Sequence, residues 1–258
     1  MIQRKNRWHI SPPISDEANR ALAKYPRRIF RQILYNRGYS TQEEAQEYLD
    51  ARNPEDTNPF NMLGVPEAVD RIESAIDNQE LIAVYGDFDA DGVTSTALLF
   101  QTLQGLGAQV RGYIPHRIDE GYGLNVKALD TLLEEGRRLI ITVDCGIRAL
   151  EEAEHAQRIG LDLIITDHHT PGDQLPPAIA IINPKQIGET YPVKDLAGVG
   201  VAYKLASALI TRRREQGYEI PDNLSDEYLL DLVALGTVAD LASLVDENRA
   251  LVRQAWNH

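Results

Sequence analysis

Three short apolar runs mark the middle of the chain: Leu81-Ile-Ala-Val-Tyr85, Leu139-Ile-Ile-Thr-Val143 and Leu163-Ile-Ile-Thr166. Continuous β-rich runs of four or five residues read as strands buried on both faces, the signature of a parallel sheet covered by helices. Between and around them the pattern alternates. It predicts strands at 81–86, 109–114, 139–143, 162–166 and 178–182, and helices at 66–78, 93–106, 125–136 and 147–159. Strand–helix alternation of this kind favours an α/β fold with a doubly wound, mostly parallel sheet over an α+β arrangement. Gly105, Gly107, Gly136 and Gly160 fall where helix C-caps are expected. Helices are expected again at 198–216 and 226–236.

Ahead of the sheet the sequence predicts a helical N-terminal segment, with helices near 16–25, 27–37 and 41–50, the last opened by a Thr41/Glu44 capping box. Asn53-Pro54 and Asn58-Pro59 mark an irregular connector. The expected domains are therefore 1–60 as helical segment and connector, 61–245 as the α/β domain, and 246–258 as the start of a connecting helix that stops without a cap.

The chemistry lies at the ends of the apolar runs. Asp87-Phe-Asp-Ala-Asp-Gly92, Asp144-Cys-Gly146 and Asp167-His-His169 each follow one of them. In open α/β sheets ligands bind beyond the carboxyl ends of the strands. Clustered carboxylates repel one another, and a fold tolerates them mainly where a cation neutralises them. The pattern reads as a polynuclear metal site. A calcium loop of the EF-hand type is excluded, because the twelfth position counted from Asp87 is Leu98 and the segment follows a strand. A haloacid-dehalogenase-type loop at Asp89–Thr94 lacks the Lys and the late acidic pair that chemistry needs.

Composition adds bounds. At 258 residues, 43% hydrophobic and 25% charged, the chain can form a sizeable soluble core. No apolar run approaches the roughly 20 residues of a membrane span. The single cysteine, Cys145, fits a reducing cytoplasm and reads as a packing residue in its turn. Net charge is −13, yet residues 1–37 carry Arg4, Lys5, Arg7, Arg20, Lys24, Arg27, Arg28, Arg31 and Arg37 against only Asp16 and Glu17. Such a basic arm either binds phosphates or forms a solvated helix face paired with the acidic body.

Together the segments resemble the DHH phosphoesterase superfamily, named for the triplet found here at 167–169, with Gly236-Thr-Val-Ala-Asp240 as its fourth signature. The runs Gly86–Ser95, Pro115–Gly123, Ile182-Asn-Pro184, Leu196–Val201 and Asp231–Asp240 resemble its RecJ branch over residues 60–252. The resemblance implies a two-metal, 5′→3′ exonuclease of single-stranded DNA, working in DNA repair and recombination. Asp89, Asp91, Asp144, His168 and Asp240 would hold two Mn²⁺ or Mg²⁺ ions, with Asp87 a further candidate ligand and Asp144 bridging. It also implies a catalytic His169, a 5′-phosphate contact at Arg117 and base stacking at Tyr122. Single-strand-binding protein or a helicase would be its protein partners, and no membrane is involved. That branch continues into a second core domain and an OB-fold, so this chain is expected to be one jaw of a clamp, of reduced activity alone. The alternatives are another DHH phosphohydrolase acting on a short oligonucleotide, cyclic dinucleotide or pyrophosphate, and a scaffold without catalysis.

Overall fold

The structure is a computed structural model and describes residues 9–224 and 226–256. Arg4, Lys5 and Arg7 of the basic arm lie outside the described residues. The chain divides into two compact units, one ending at Arg52 and one beginning at Asn53.

The first unit holds α1 (Asp16–Ala21), α2 (Arg28–Asn36) and α3 (Gln42–Asp50). Ser15 caps α1 through the Ala18 amide. The Thr41/Glu44 capping box opens α3 in both directions, with the Thr41 amide donating to Glu44 at 3.0 Å and the Glu44 amide to Thr41 at 3.2 Å. A small core of Ile14, Ala18, Leu22, Leu34 and Ala45 joins the three helices. Helix α1 ends four residues before the expected 25, where Ala23 and Tyr25 make tighter turn bonds to the Arg20 and Leu22 carbonyls and Leu22 is fully buried.

The second unit is a five-stranded parallel sheet with order β2-β1-β3-β4-β5. Its strands are β1 (Leu81–Tyr85), β2 (Gln109–Tyr113), β3 (Arg137–Val143), β4 (Asp162–Thr166) and β5 (Ala180–Ile182). Side chains alternate between two covered faces. Ile82, Val84, Leu139, Ile141, Val143 and Ile164 enter one core, beneath α4 (Val65–Asp77), α5 (Ala90–Gly105), α8 (Gly198–Glu215) and α9 (Asp226–Ala239). Ala83, Tyr85, Ile140, Leu163 and Ile165 enter the other, beneath α6 (Val126–Glu134) and α7 (Leu150–Ile159). Burial on both faces is why these strands read as unbroken apolar runs. The chain leaves β1 toward β2 on one side, and β3, β4 and β5 follow on the other. The winding therefore reverses between β1 and β3, where such sheets open a crevice at their carboxyl ends.

Gly107, Gly136 and Gly160 do adopt the left-handed conformation after helices, but Gly105 does not. It is the last residue of α5, where a Cβ would lie 2.5 Å from Leu224. Helix α9 runs three residues beyond the expected 236, carrying Asp240 to the end of a helix instead of a free turn.

Helix α10 (Asp246–Trp256) is tied down by a buried ion pair between Lys204 and Glu247. Tyr191 donates to Glu247 at 2.6 Å, and Lys204 also donates to the Thr57 carbonyl at 2.9 Å. Removing one member of a buried pair strands the other charge, at a cost of about 3–5 kcal/mol, whereas apolar replacement of both is far milder. Lys204→Met should therefore destabilise the fold by that order, and Lys204→Met/Glu247→Leu should be more stable than either single variant. Urea unfolding of the three variants checks the ordering.

Candidate metal centre

Every segment that follows β1, β3 and β4 delivers a polar group into the crevice. After β1, Asp87 is buried and accepts the Phe88 amide at 2.7 Å. Asp89 caps α5 through the Gly92 amide at 2.9 Å. Asp91, two residues on in the first turn of α5, is fully buried and accepts the amides of Gly198 and Val199 at 2.7 Å each. These amides open α8, so the positive end of that helix faces a carboxylate.

After β3, Asp144 takes a left-handed backbone (φ 58°). Asp tolerates this better than most residues, and such strain is concentrated at working sites. Gly198 touches the Asp144 carboxylate so closely that an added Cβ would lie 2.6 Å from Oδ1. Cys145 is buried below, its thiol pushed well up by burial, as suits a packing residue.

After β4, Asp167 is the anchor. One of its oxygens accepts the amides of His168 (2.7 Å) and His169 (3.0 Å) and the His169 ring Nδ1 (2.7 Å). The other accepts the Ile147 amide at 2.9 Å. That bond holds 146–149 as a turn and delays α7 to Leu150, three residues after its expected start. Burial alone would raise the Asp167 pKa, but its bonds to His169 and the backbone outweigh burial and hold it below the ordinary value.

The side chains converge. Ligand atoms of Asp87, Asp89 and Asp144 lie within 4.8 Å of one another; so do those of Asp91, His168 and Asp240, and those of Asp144, His168 and His169. His168 Nε2 is 3.1 Å from Asp144 Oδ1 and 3.9 Å from Asp91 Oδ2. Yet Asp144 Oδ1 and His168 Nε2 are both shielded from water with no properly directed hydrogen bond. A buried polar atom left so costs about 1–3 kcal/mol, and an ion between the two groups is one established remedy. Hard carboxylate oxygens with one imidazole suit Mn²⁺ or Mg²⁺. The donor set fits such a cation.

Electrostatics agree. Burial foremost raises Asp144 to about 7, reinforced by Asp91 and Asp89. Burial also raises Asp87 and Asp91. Burial alone would lower His168, but Asp144, Asp91 and Asp240 outweigh it and bring it to about 9. The bare crevice thus holds protons that a divalent cation would displace.

Arg117 and Tyr122 lie on the rim instead of among the ligands. The Arg117 guanidinium sits 4.8 Å over the Phe88 ring. Tyr122, 60% exposed, meets Phe88 and His169 edge-on at 6.3 and 6.5 Å. Their loop is fixed by Glu120, bonded to Tyr113 and the His116 amide, and by Tyr85, which donates to the Gly123 carbonyl at 2.9 Å. Beyond His169 opens a cavity of about 460 Å³, lined by Tyr122, Leu124, Ile147, Arg148, Glu152 and Thr170 among others. The sequence reading missed the anchoring role of Asp167 and the contribution of Gly198. The signal for the latter was the glycine pair in Ala197-Gly198-Val199-Gly200.

Residues 81–237 match the family model described as DHH family, N-terminal domain. The single-stranded-DNA-specific exonuclease RecJ of Bacillus subtilis (strain 168) is 49% identical over 97% of this chain, and that of Escherichia coli (strain K12) 43% identical over 89%. The chain spans only 30% and 40% of those two relatives. A crystal structure of exonuclease RecJ bound to manganese is similar with TM-score 0.66 and 40% identity, over 76% of this chain and 48% of that one. RecJ of Thermus thermophilus in complex with Mn²⁺ gives TM-score 0.71 and 33% identity, over 93% and 32%.

The His169 pKa is raised first by its bond to Asp167. Asp167→Asn removes that charge, so the His169 ring should titrate closer to the usual value of about 6.5. Ring-proton NMR of the metal-free chain reads it; an unmoved titration would show that Asp167 does not hold the ring.

Proposed function

The chain belongs to the DHH family, and on that premise we propose that it is the catalytic part of a metal-dependent 5′→3′ exonuclease acting on single-stranded DNA. The observation that carries this reading is the convergence of three overlapping ligand groups on one crevice, with Asp144 Oδ1 and His168 Nε2 buried 3.1 Å apart and making no well-directed hydrogen bond in their midst. Two Mn²⁺ or Mg²⁺ ions would be held by the overlapping groups. Asp87, Asp89 and Asp144 would hold one, and Asp91, His168 and Asp240 the other, with Asp144, 3.1 Å from His168, as the candidate shared ligand. When bound, such ions acidify a water and neutralise charge on the phosphate.

The protein groups then have distinct tasks. Asp91 holds the amino end of α8 while its remaining lone pairs face His168. His169, oriented by Asp167 through Nδ1 and half exposed, keeps a proton for a phosphate oxygen or the departing 3′ oxygen. Arg117 offers a planar fork to the 5′-phosphate, and Phe88 beneath it limits its motion. Tyr122 presents a ring on which a base can stack. The single-stranded-DNA substrate is carried over from the relatives named above, and the 5′→3′ polarity and a cytoplasmic role in DNA repair and recombination are part of the same proposal. No helix among the described residues is long and apolar enough to cross a membrane.

The test is release of mononucleotides from 5′-phosphorylated single-stranded DNA with Mn²⁺, against 3′-end release, duplex DNA and pyrophosphate. Asp144→Ala should lower kcat by more than the roughly 10–100-fold typical of residues that merely support a ligand. Near-parent activity would refute the role of Asp144.

Metal affinity should also depend on pH. A cation must displace protons from Asp144, raised to about 7, and His168, raised to about 9. Mn²⁺ should therefore bind progressively more tightly as pH rises through that interval. Calorimetric titration in buffers of differing ionisation enthalpy checks both the trend and the protons released.

A further inference from the structure

The N-terminal helical unit carries a cation cluster that nothing in the fold explains. Arg20, Arg27, Arg28 and Arg37 are exposed and Arg31 is half-buried. Among the described residues none of these five lies within ion-pair distance of an acidic side chain; in the second unit Arg71, Arg111, Arg137 and Arg213 do, while Arg117 and Arg148 are held by a ring and a carbonyl instead. Two of the first unit's acids are engaged elsewhere. Glu44 caps α3, and Asp50 pairs with Arg52.

Placement sharpens the point. Arg27, Arg28 and Arg31 crowd one side of the first turn of α2, which has no acidic residue and no side-chain cap. Like charges three and four residues apart repel on a helix, and the positive end of the helix dipole disfavours cations. Local stability therefore argues against this arrangement, and sequences break local rules chiefly where function requires it. The second unit, by contrast, is acidic and gathers its carboxylates at the very place where a polyanion must be cut.

Building on the exonuclease reading, we propose that this helical unit binds the sugar–phosphate backbone of the single-stranded DNA substrate, independently of base sequence, through these five arginines. The guanidinium fork matches phosphate oxygens, and release of condensed counterions supplies the attraction that the acidic unit cannot. A lipid surface fits less well. Phe30 and Leu34 of α2 pack into the unit's own core, leaving Ile29 and Ile33 without the broad apolar face that bilayer insertion needs.

The experiment compares the parent 258-residue chain with Arg27→Gln/Arg28→Gln/Arg31→Gln and with the charge-retaining Arg27→Lys/Arg28→Lys/Arg31→Lys. Binding of a fluorescent single strand of about 30 nucleotides, long enough for many backbone contacts, is followed by anisotropy across a salt series, and circular dichroism confirms the fold. The Gln variant should flatten the log–log salt slope by about 2, at about 0.7 per lost phosphate contact, while the Lys variant keeps the parent slope. Hydrolysis of a 5′-phosphorylated dinucleotide, which offers no further backbone, should be equal in all three. If the Gln triple does not fold, Arg20→Gln/Arg37→Gln is read the same way, with a smaller loss of slope.

An unchanged slope with intact dinucleotide hydrolysis overturns the inference and leaves the exonuclease reading standing. Absence of dinucleotide hydrolysis from the parent refutes that reading instead. Retention of the parent, but not of the Gln variant, on anionic phosphatidylserine vesicles with no change in DNA binding overturns the inference in favour of a membrane contact.

Discussion

Carboxylates that share a buried crevice repel one another, and the carboxyl edge of this sheet is built around that repulsion. Asp87, Asp91 and Asp144 are almost wholly withdrawn from water and lie close to Asp89 and Asp240. The fold meets part of the cost with its own dipoles. Asp91 receives two amides from the start of α8, Asp89 one from α5, and Asp167 two backbone amides from its neighbours as well as the distant Ile147 amide. What remains is concentrated on Asp144 and His168, whose facing atoms lie 3.1 Å apart without a well-directed hydrogen bond. A pair of divalent cations would complete this arrangement, and its donors are of the hard kind such ions prefer.

Close approach is the second half of the design. The helix that donates amides to Asp91 must pass against the Asp144 carboxylate, which only a residue without a Cβ permits at position 198. Gly236 plays a matching part where α9 crosses α5: a Cβ there would run into Thr94 and press on Val199. The glycines thus let two helices carry their polar groups to within contact of residues from three strand ends. Packing of α8 and α9 into the core beneath β1, β3 and β4 turns this local geometry into a property of the whole second unit.

Much of this was legible in the residues, and the reason is physical. Strands buried on both faces must be apolar throughout, so β1, β3 and β4 announce themselves, and polar groups directly after them point to the ligand edge. Boundaries set by distant partners were not legible. Helix α7 starts late because the carboxylate of Asp167 captures the Ile147 amide, twenty residues away in sequence. Asp91 reads from sequence as a simple ligand, yet it also fastens the start of α8, more than a hundred residues on. Gly105 looked like a helix cap and is instead a packing contact with Leu224. In the N-terminal unit the charge pattern was visible, but only the structure shows that Arg20, Arg27, Arg28, Arg31 and Arg37 lack acidic partners among the described residues, whereas Arg52 pairs with Asp50.

The central claim is that the carboxylate cluster is a two-cation centre joined through Asp144. Anomalous diffraction at the manganese edge, from crystals of this chain grown with Mn²⁺, addresses it most directly. Two peaks should appear in the crevice, one beside Asp87 and Asp89 and one beside Asp91, His168 and Asp240, with the Asp144 carboxylate between them. A crevice without ordered metal, or a single ion held without Asp144, would contradict the account.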